Sequence, residues 1–214
     1  MEDTFKIFDE HKLIANIRAS EHEDAAQLAK AVLAGGFKIL EISMSVPQAP
    51  RLVEALSKNG VLIGAGSVSD GEMAQRAINA GAKFIASHFV DKIILTVCKN
   101  NNVFVMQSAA TPTEAMDAFN SGVDLIDLYP IEALGGPAFA KRLKRALPIT
   151  RLMVSGGVNC DNFLEYLKVG VNVVEIGSAI CDKSLIRAHN WQEVTERAKK
   201  FQQKLDSIKT ARAS

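Results

Sequence analysis

The segments LAGGFKILEIS (33–43), INAGAKFIASH (78–88), FNSGVDLIDLYP (119–130) and LKVGVNVVEIGS (167–178) share one plan. Each runs from a polar or amphipathic segment through a small residue and a glycine into a short apolar run. The glycines Gly36, Gly81, Gly122 and Gly170 recur about every 45 residues, which leaves room for two strand–helix units per interval. Apolar runs fill those intervals: LIANIR (13–18), VLIGAG (61–66), VFVMQS (103–108) and RLMVSGG (151–157). Helical patterns lie between the runs, as in EDAAQLAKAVLAG (23–35), where Ala26, Ala29, Val32 and Leu33 share one side.

Eight strands alternating with helices in just over two hundred residues predict an α/β fold, a parallel (β/α)8 barrel formed by residues 1–214 as one domain. A doubly wound open sheet is the alternative. The N-terminal MEDTFKIFDEHK (1–12) is charged and periodic, and reads as a short helix rather than a signal peptide.

Composition excludes several classes. With 25 basic and 24 acidic residues the formal net charge is +1, so no general field attracts nucleic acid or an anionic membrane surface. The dense basic cluster Lys141, Arg142, Lys144 and Arg145 has helical spacing and reads as a solvated helix face. No run reaches the ~18 apolar residues of a membrane span. Cys98, Cys160 and Cys181 are odd in number and lack zinc or redox spacing, which suits a reducing cytoplasm and inert buried thiols.

In a barrel, ligand chemistry gathers at the C-terminal strand ends. Alternation places Arg18, Glu41 with Ser43 and Ser45, Ser67, His88, Gln107 with Ser108, Asp127 and Ser155 there. Asp127 shares its side with Leu125 and Tyr129, and Glu41 with Phe37 and Ile39; Ile126 and Leu128 face the helices. The last two strands end in SGGV, with Gly156 and Gly157, and IGSAI, with Gly177 and Ser178, both leading towards helical segments. Their backbone N–H groups offer a phosphate site, because glycine lets an anion approach closely.

The ensemble LIANIRA, AGGFKILEISMSVPQA, LIGAGSV, AGAKFIASH, MQSAAT, DLYPIEALGG, VSGGVN and VEIGSAI resembles the 2-keto-3-deoxy-6-phosphogluconate and 4-hydroxy-2-oxoglutarate aldolase family over nearly the whole chain. The resemblance implies a (β/α)8 barrel, commonly a homotrimer, that cleaves 2-keto-4-hydroxy acids to pyruvate and an aldehyde through a lysine Schiff base, with no cofactor. The ligand it implies is a small keto acid, with or without a phosphate.

Residue by residue, the resemblance makes Glu41 the proton-shuttling glutamate, a role suited to a carboxyl whose pKa a barrel mouth can raise. Arg18 resembles a first-strand arginine that holds an anionic substrate, and its forked donors match a carboxylate. Ser67 stands where the family usually has threonine and can donate a hydroxyl to the pyruvate carboxylate. Ser45 stands where many members carry another arginine, which shifts carboxylate binding onto Arg18.

Asp127 is the largest departure. The family's Schiff-base lysine lies three residues before the proline of an FP or similar pair; here Pro130 follows Tyr129, and Asp127 occupies the lysine position. A carboxyl cannot condense with a ketone, so the covalent step is missing there. Lys38 and Lys83 begin their strands near the barrel floor, and Lys92, Lys141 and Lys183 lie beyond the strand ends. None is an obvious replacement.

Three readings follow. One is an altered lyase in which Glu41 and Asp127, with His88, hold a divalent metal that polarises a keto acid. Another is a non-catalytic barrel binding a keto acid or phosphate, with Asp127 paired to Arg18 or Tyr129. The third is a different phosphate-binding barrel using Glu41 and Asp127 as acid and base.

Overall fold

The computed structural model describes residues 2–58, 60–147 and 151–213. Eight parallel strands close into a barrel in sequence order: β1 (Leu13–Ile17), β2 (Ile39–Ser43), β3 (Leu62–Gly66), β4 (Phe84–Ser87), β5 (Phe104–Ala109), β6 (Leu125–Leu128), β7 (Leu152–Val154) and β8 (Val173–Ile176). Helices follow the strands on the outside, ending with the long helix Trp191–Ala213.

The repeat has a backbone cause. Gly36, Gly81, Gly122 and Gly170 all adopt positive φ, between 90° and 102°, a region open to glycine at little cost, so each ends a helix and turns the chain into the next strand. The intervening units make comparable turns with other residues. Lys12 precedes β1 at φ 63°, Gly60 precedes β3 at φ 70°, and Asn102 precedes β5 at φ 54°. Their varied identity explains why only alternate units match as sequence repeats.

Side chains alternate across the barrel wall. The inner set packs Ile14, Ile39, Leu62, Phe84, Phe104, Met106, Leu125, Met153 and Val173 together with Phe8. Phe8 comes from the N-terminal helix Glu2–His11, and its ring centroid lies 5.2 Å from those of Phe84 and Phe104. This helix therefore closes the barrel floor, where complete burial of one such ring contributes roughly 1.5–3 kcal/mol. Gly64 makes room for the same layer, since a Cβ there would stand 2.3 Å from the Phe84 ring.

The outer set, including Ile126 and Leu128, packs under the helices. Two expectations need correction. Phe37 belongs to this outer layer and does not share Glu41's side, because it precedes the first residue of β2 and lies outside the strand alternation. Gln107 is fully buried, and its amide pairs with the backbone of Asp91 (donating at 3.0 Å, accepting at 3.3 Å). It anchors the loop after β4 and takes no part in the mouth.

Among the described residues, no helix is long and apolar enough to cross a membrane. The basic cluster lies on the helix Gly136–Ala146, with Lys141, Arg142 and Arg145 exposed. Lys144 is partly buried, lies 3.3 Å from the position a Cβ on Gly170 would take, and donates to Asn172 at 3.5 Å. The cluster is a solvated face with one structural member.

Candidate functional site

Above the apolar floor, the next inward positions of the strands carry polar groups. Register sets Asn16 of β1 opposite Glu41 of β2, and Ser108 of β5 opposite Asp127 of β6. Ile14 lies opposite Glu175 of β8, while Val173 points into the apolar core, so Glu175 also faces inward. The mouth thus holds three carboxyl groups rather than the two named from sequence. Asn16 and Glu175 were legible by extending the alternation from Ile14 and Val173.

One Asn16 amide nitrogen binds two of the three, donating to Glu41 Oε1 at 2.9 Å and to Glu175 Oε1 at 3.3 Å. Held on one donor, the two carboxyls are electrostatically coupled, and the Glu41 charge disfavours ionisation of Glu175. Glu41 is only 2% exposed, and its carboxyl fits because β3 offers Gly66 beside it: a Cβ there would stand 1.7 Å from Glu41 Oε1. Burial pushes Glu41 up to about 7, helped by the Asp127 charge and opposed by hydrogen bonds and the Arg18 guanidinium. Burial and the neighbouring Glu41 raise Glu175 well above the usual carboxylate range.

Asp127 is 5% exposed. Ser155 donates to its Oδ2 at 2.7 Å and Ser108 lies 3.1 Å from the same oxygen. Neither Arg18 nor Tyr129 is its partner, contrary to expectation: Arg18 donates instead to Ser67 Oγ at 2.6 Å, and the Tyr129 ring packs against His88 with centroids 4.7 Å apart and planes tilted by 31°. Burial and the Glu175 charge push Asp127 up to about 7, while the two serines pull it down. Glu41 Oε2 and Asp127 Oδ1 are buried with no hydrogen-bond partner among the described residues, an arrangement that favours the neutral acids.

Ser43 and Ser45 lie 2.8 Å apart through their hydroxyls, and Ser43 donates to Ser67 at 3.1 Å. Ser67 therefore accepts two hydrogen bonds and keeps its own hydroxyl proton for another acceptor. Its backbone is left-handed, φ 55°, a conformation that costs a non-glycine residue about 1–3 kcal/mol.

Two spaces open among these groups. A cavity of about 910 Å³ is lined by Asn16, Arg18, Ser45, Glu175 and His88, together with Gly156, Gly157, Gly177 and Ser178. Beneath it, a cleft of about 10 Å³ is lined by Glu41, Ser67, Ser108, Asp127, Ser155 and Glu175, with His88 at its edge. Among the described residues, only His88 and Glu175 border both. Partial burial and the Arg18 charge lower the His88 pKa, which favours the neutral ring.

Gly156 and Gly157 both have positive φ, at 83° and 86°. They also permit close packing: a Cβ on Gly156 would lie 3.1 Å from Pro130, and one on Gly157 would lie 2.3 Å from Glu132. Gly177 needs no such freedom, its Cβ meeting Asn16 at an ordinary 3.8 Å. The helices beyond these glycines, Phe163–Lys168 and Lys183–Arg187, are short and begin several residues later. The backbone N–H groups offered here are therefore those of the glycine segments themselves.

Lys183 lines the wide cavity at the start of its short helix, but it is exposed and does not line the cleft. Lys38, Lys83, Lys92 and Lys141 are also exposed. The metal reading finds no donor set, because no group of three or more His, Cys, Asp or Glu among the described residues is arranged to hold an ion. Burial pushes the Cys98 thiol up to about 12 and the Cys181 thiol up to about 11, which leaves both protonated at neutral pH.

A sequence model of the KDPG and KHG aldolases matches residues 5–197. The 2-dehydro-3-deoxy-phosphogluconate aldolase of Treponema pallidum is 28% identical over 193 residues, 89% of this chain and 92% of that protein. The enzyme of the same name from Pseudomonas aeruginosa is 29% identical over 188 residues, 86% of this chain and 85% of the relative. A crystal structure of KDPG aldolase from Legionella pneumophila, with pyruvate captured as a covalent carbinolamine, superposes with a TM-score of 0.82 at 30% identity, covering 91% of this chain and 96% of that one. By this match across most of its length, the chain belongs to the KDPG and KHG aldolase family.

Proposed function

We propose that this chain takes 2-keto-3-deoxy sugar acids, with or without a phosphate, or 4-hydroxy-2-oxoglutarate into the wide cavity as an aldolase-family lyase, pyruvate being the product, and that its route bypasses the β6 imine. The observation that carries the reading is Asp127, buried at the family's lysine position and hydrogen-bonded by Ser155 and Ser108. Binding is supported by the cavity itself, whose volume of about 910 Å³ suits a small anionic ligand. Arg18 supplies a carboxylate partner, and Gly156, Gly157, Gly177 and Ser178 supply a backbone cup in the same cavity, while Ser67, which accepts from Arg18, retains a donor proton in the cleft.

Homotrimeric assembly belongs to the same proposal, and exposed Phe89 (46%) and Ile93 (66%) offer apolar surface for it. A second reading, a barrel that binds the keto acid without turnover, is favoured by the cleft of about 10 Å³. That is too small for more than a single water, and it separates Glu41 and Asp127 from a ligand in the cavity.

Calorimetric titration with 2-keto-3-deoxy-6-phosphogluconate, its dephosphorylated form and 4-hydroxy-2-oxoglutarate, paired with a coupled assay for released pyruvate, tests both. Binding with pyruvate release supports the lyase, and binding without release supports the second reading. No binding of any of the three refutes both.

A further inference from the structure

Glu175 differs from the other two carboxyl groups in one respect: it reaches both spaces. It is half-buried at the inner face of β8 and lines the wide cavity with Arg18. It also lines the cleft with Glu41, and Asn16 holds both groups through one amide nitrogen. Two carboxyls coupled in this way lose their protons in two separate steps, so between those steps the pair carries one proton and one basic oxygen, and Glu175 is the member placed to present that oxygen to a bound ligand.

We propose that Glu175, backed by Glu41, is a proton-transfer base that enolises a 2-keto acid held on Arg18, giving the chain a hydrogen-exchange activity at the keto acid's C3 that needs no imine. This rests on the keto-acid binding proposed above. In the step, the C3–H bond breaks and its proton passes to a Glu175 carboxylate oxygen. The bonding pair forms the C2–C3 double bond, and the carbonyl π electrons move to O2, leaving an enolate. That oxygen adjoins the ligand carboxylate on Arg18, so the same guanidinium charge and the His88 ring at the cavity edge stabilise it. Return of a solvent-exchanged proton from Glu175 to C3 restores the ketone and completes the exchange. Burial and the neighbouring Glu41 raise Glu175 well above the usual carboxylate range, which makes its ionised form a better match for a weak carbon acid and predicts exchange that rises with pH.

The test follows the methyl signal of pyruvate by proton NMR in deuterium oxide, with the wild-type protein and the Glu175→Gln and Glu41→Gln variants. Pyruvate binding is measured in parallel by calorimetry, and borohydride trapping is run on the same samples. The expected result is loss of the methyl protons with no borohydride adduct, slowed about 100-fold or more in Glu175→Gln, with pyruvate still bound. Glu41→Gln should slow exchange less, because it removes the charge that makes Glu175 more basic but leaves the base itself in place.

Pyruvate that binds without exchanging overturns the base assignment and leaves the binding reading intact. Exchange unaffected by Glu175→Gln, or accompanied by a trapped lysine adduct, overturns it as well. Absence of pyruvate binding overturns the inference together with the reading beneath it.

Discussion

Replacing Asp127 with asparagine should make the protein more stable at alkaline pH and leave it little changed in acid. Asp127 is pushed from 3.8 up to about 7 in the fold, mainly by burial and by the Glu175 charge. A raised carboxyl pKa means that the folded state holds the proton more tightly than the unfolded chain. Stability is therefore highest below the unfolded pKa and falls as pH rises to the folded one. At ~1.4 kcal/mol per pH unit, this group costs about 1 kcal/mol at about pH 4.5 and about 4 kcal/mol at about pH 8.

The substitution Asp127→Asn removes the titration and keeps a side chain able to hydrogen-bond Ser155 and Ser108. The gain in stability should consequently grow by about 3 kcal/mol between those two pH values. For a chain of this length that corresponds to roughly 9 °C in Tm. Thermal unfolding of both proteins at the two pH values, followed by circular dichroism, gives the difference directly. An equal Tm difference at both would refute the claim that Asp127 is held as a neutral acid.

Two further substitutions probe the mouth. Gly66→Ala puts a Cβ where the Glu41 carboxyl lies, 1.7 Å from Oε1, so it should displace Glu41 and cost about 1–3 kcal/mol in stability, measured by urea unfolding; an unchanged midpoint would show that Glu41 moves freely. Arg18→Gln removes the cavity's guanidinium and should weaken keto-acid binding roughly 10- to 100-fold through loss of a charged hydrogen bond, as read by calorimetry, while unchanged affinity would remove Arg18 from the ligand site.

The barrel was legible because glycine at left-handed helix ends repeats visibly: Gly36, Gly81, Gly122 and Gly170 mark alternate units. The others required the apolar runs, since Lys12 and Asn102 make similar turns without a glycine signature. Asp127 was found by its motif, and its inward direction by alternation. Its partners were not, because Ser155 reaches it from β7's end and Ser108 from the neighbouring strand, contacts between positions far apart in sequence. Arg18 also has a shorter route to Ser67 than a charge-pairing argument suggests. Gln107 looked like a mouth residue from its position near a strand end, whereas strand parity turns it outward to the Asp91 backbone. Glu175 was hidden in the apolar run VVEIG, where one acid among strand formers draws little notice until its hydrogen bond from Asn16, which it shares with Glu41, is seen.

The central claim is that a keto-acid barrel of this family works without a covalent lysine, because β6 presents a buried carboxyl where an amine would have to stand. Borohydride reduction in the presence of saturating pyruvate, followed by peptide mass spectrometry of the whole chain, tests it most directly. Unmodified lysines in every peptide are the predicted result; a lysine carrying the reduced pyruvate adduct would contradict it.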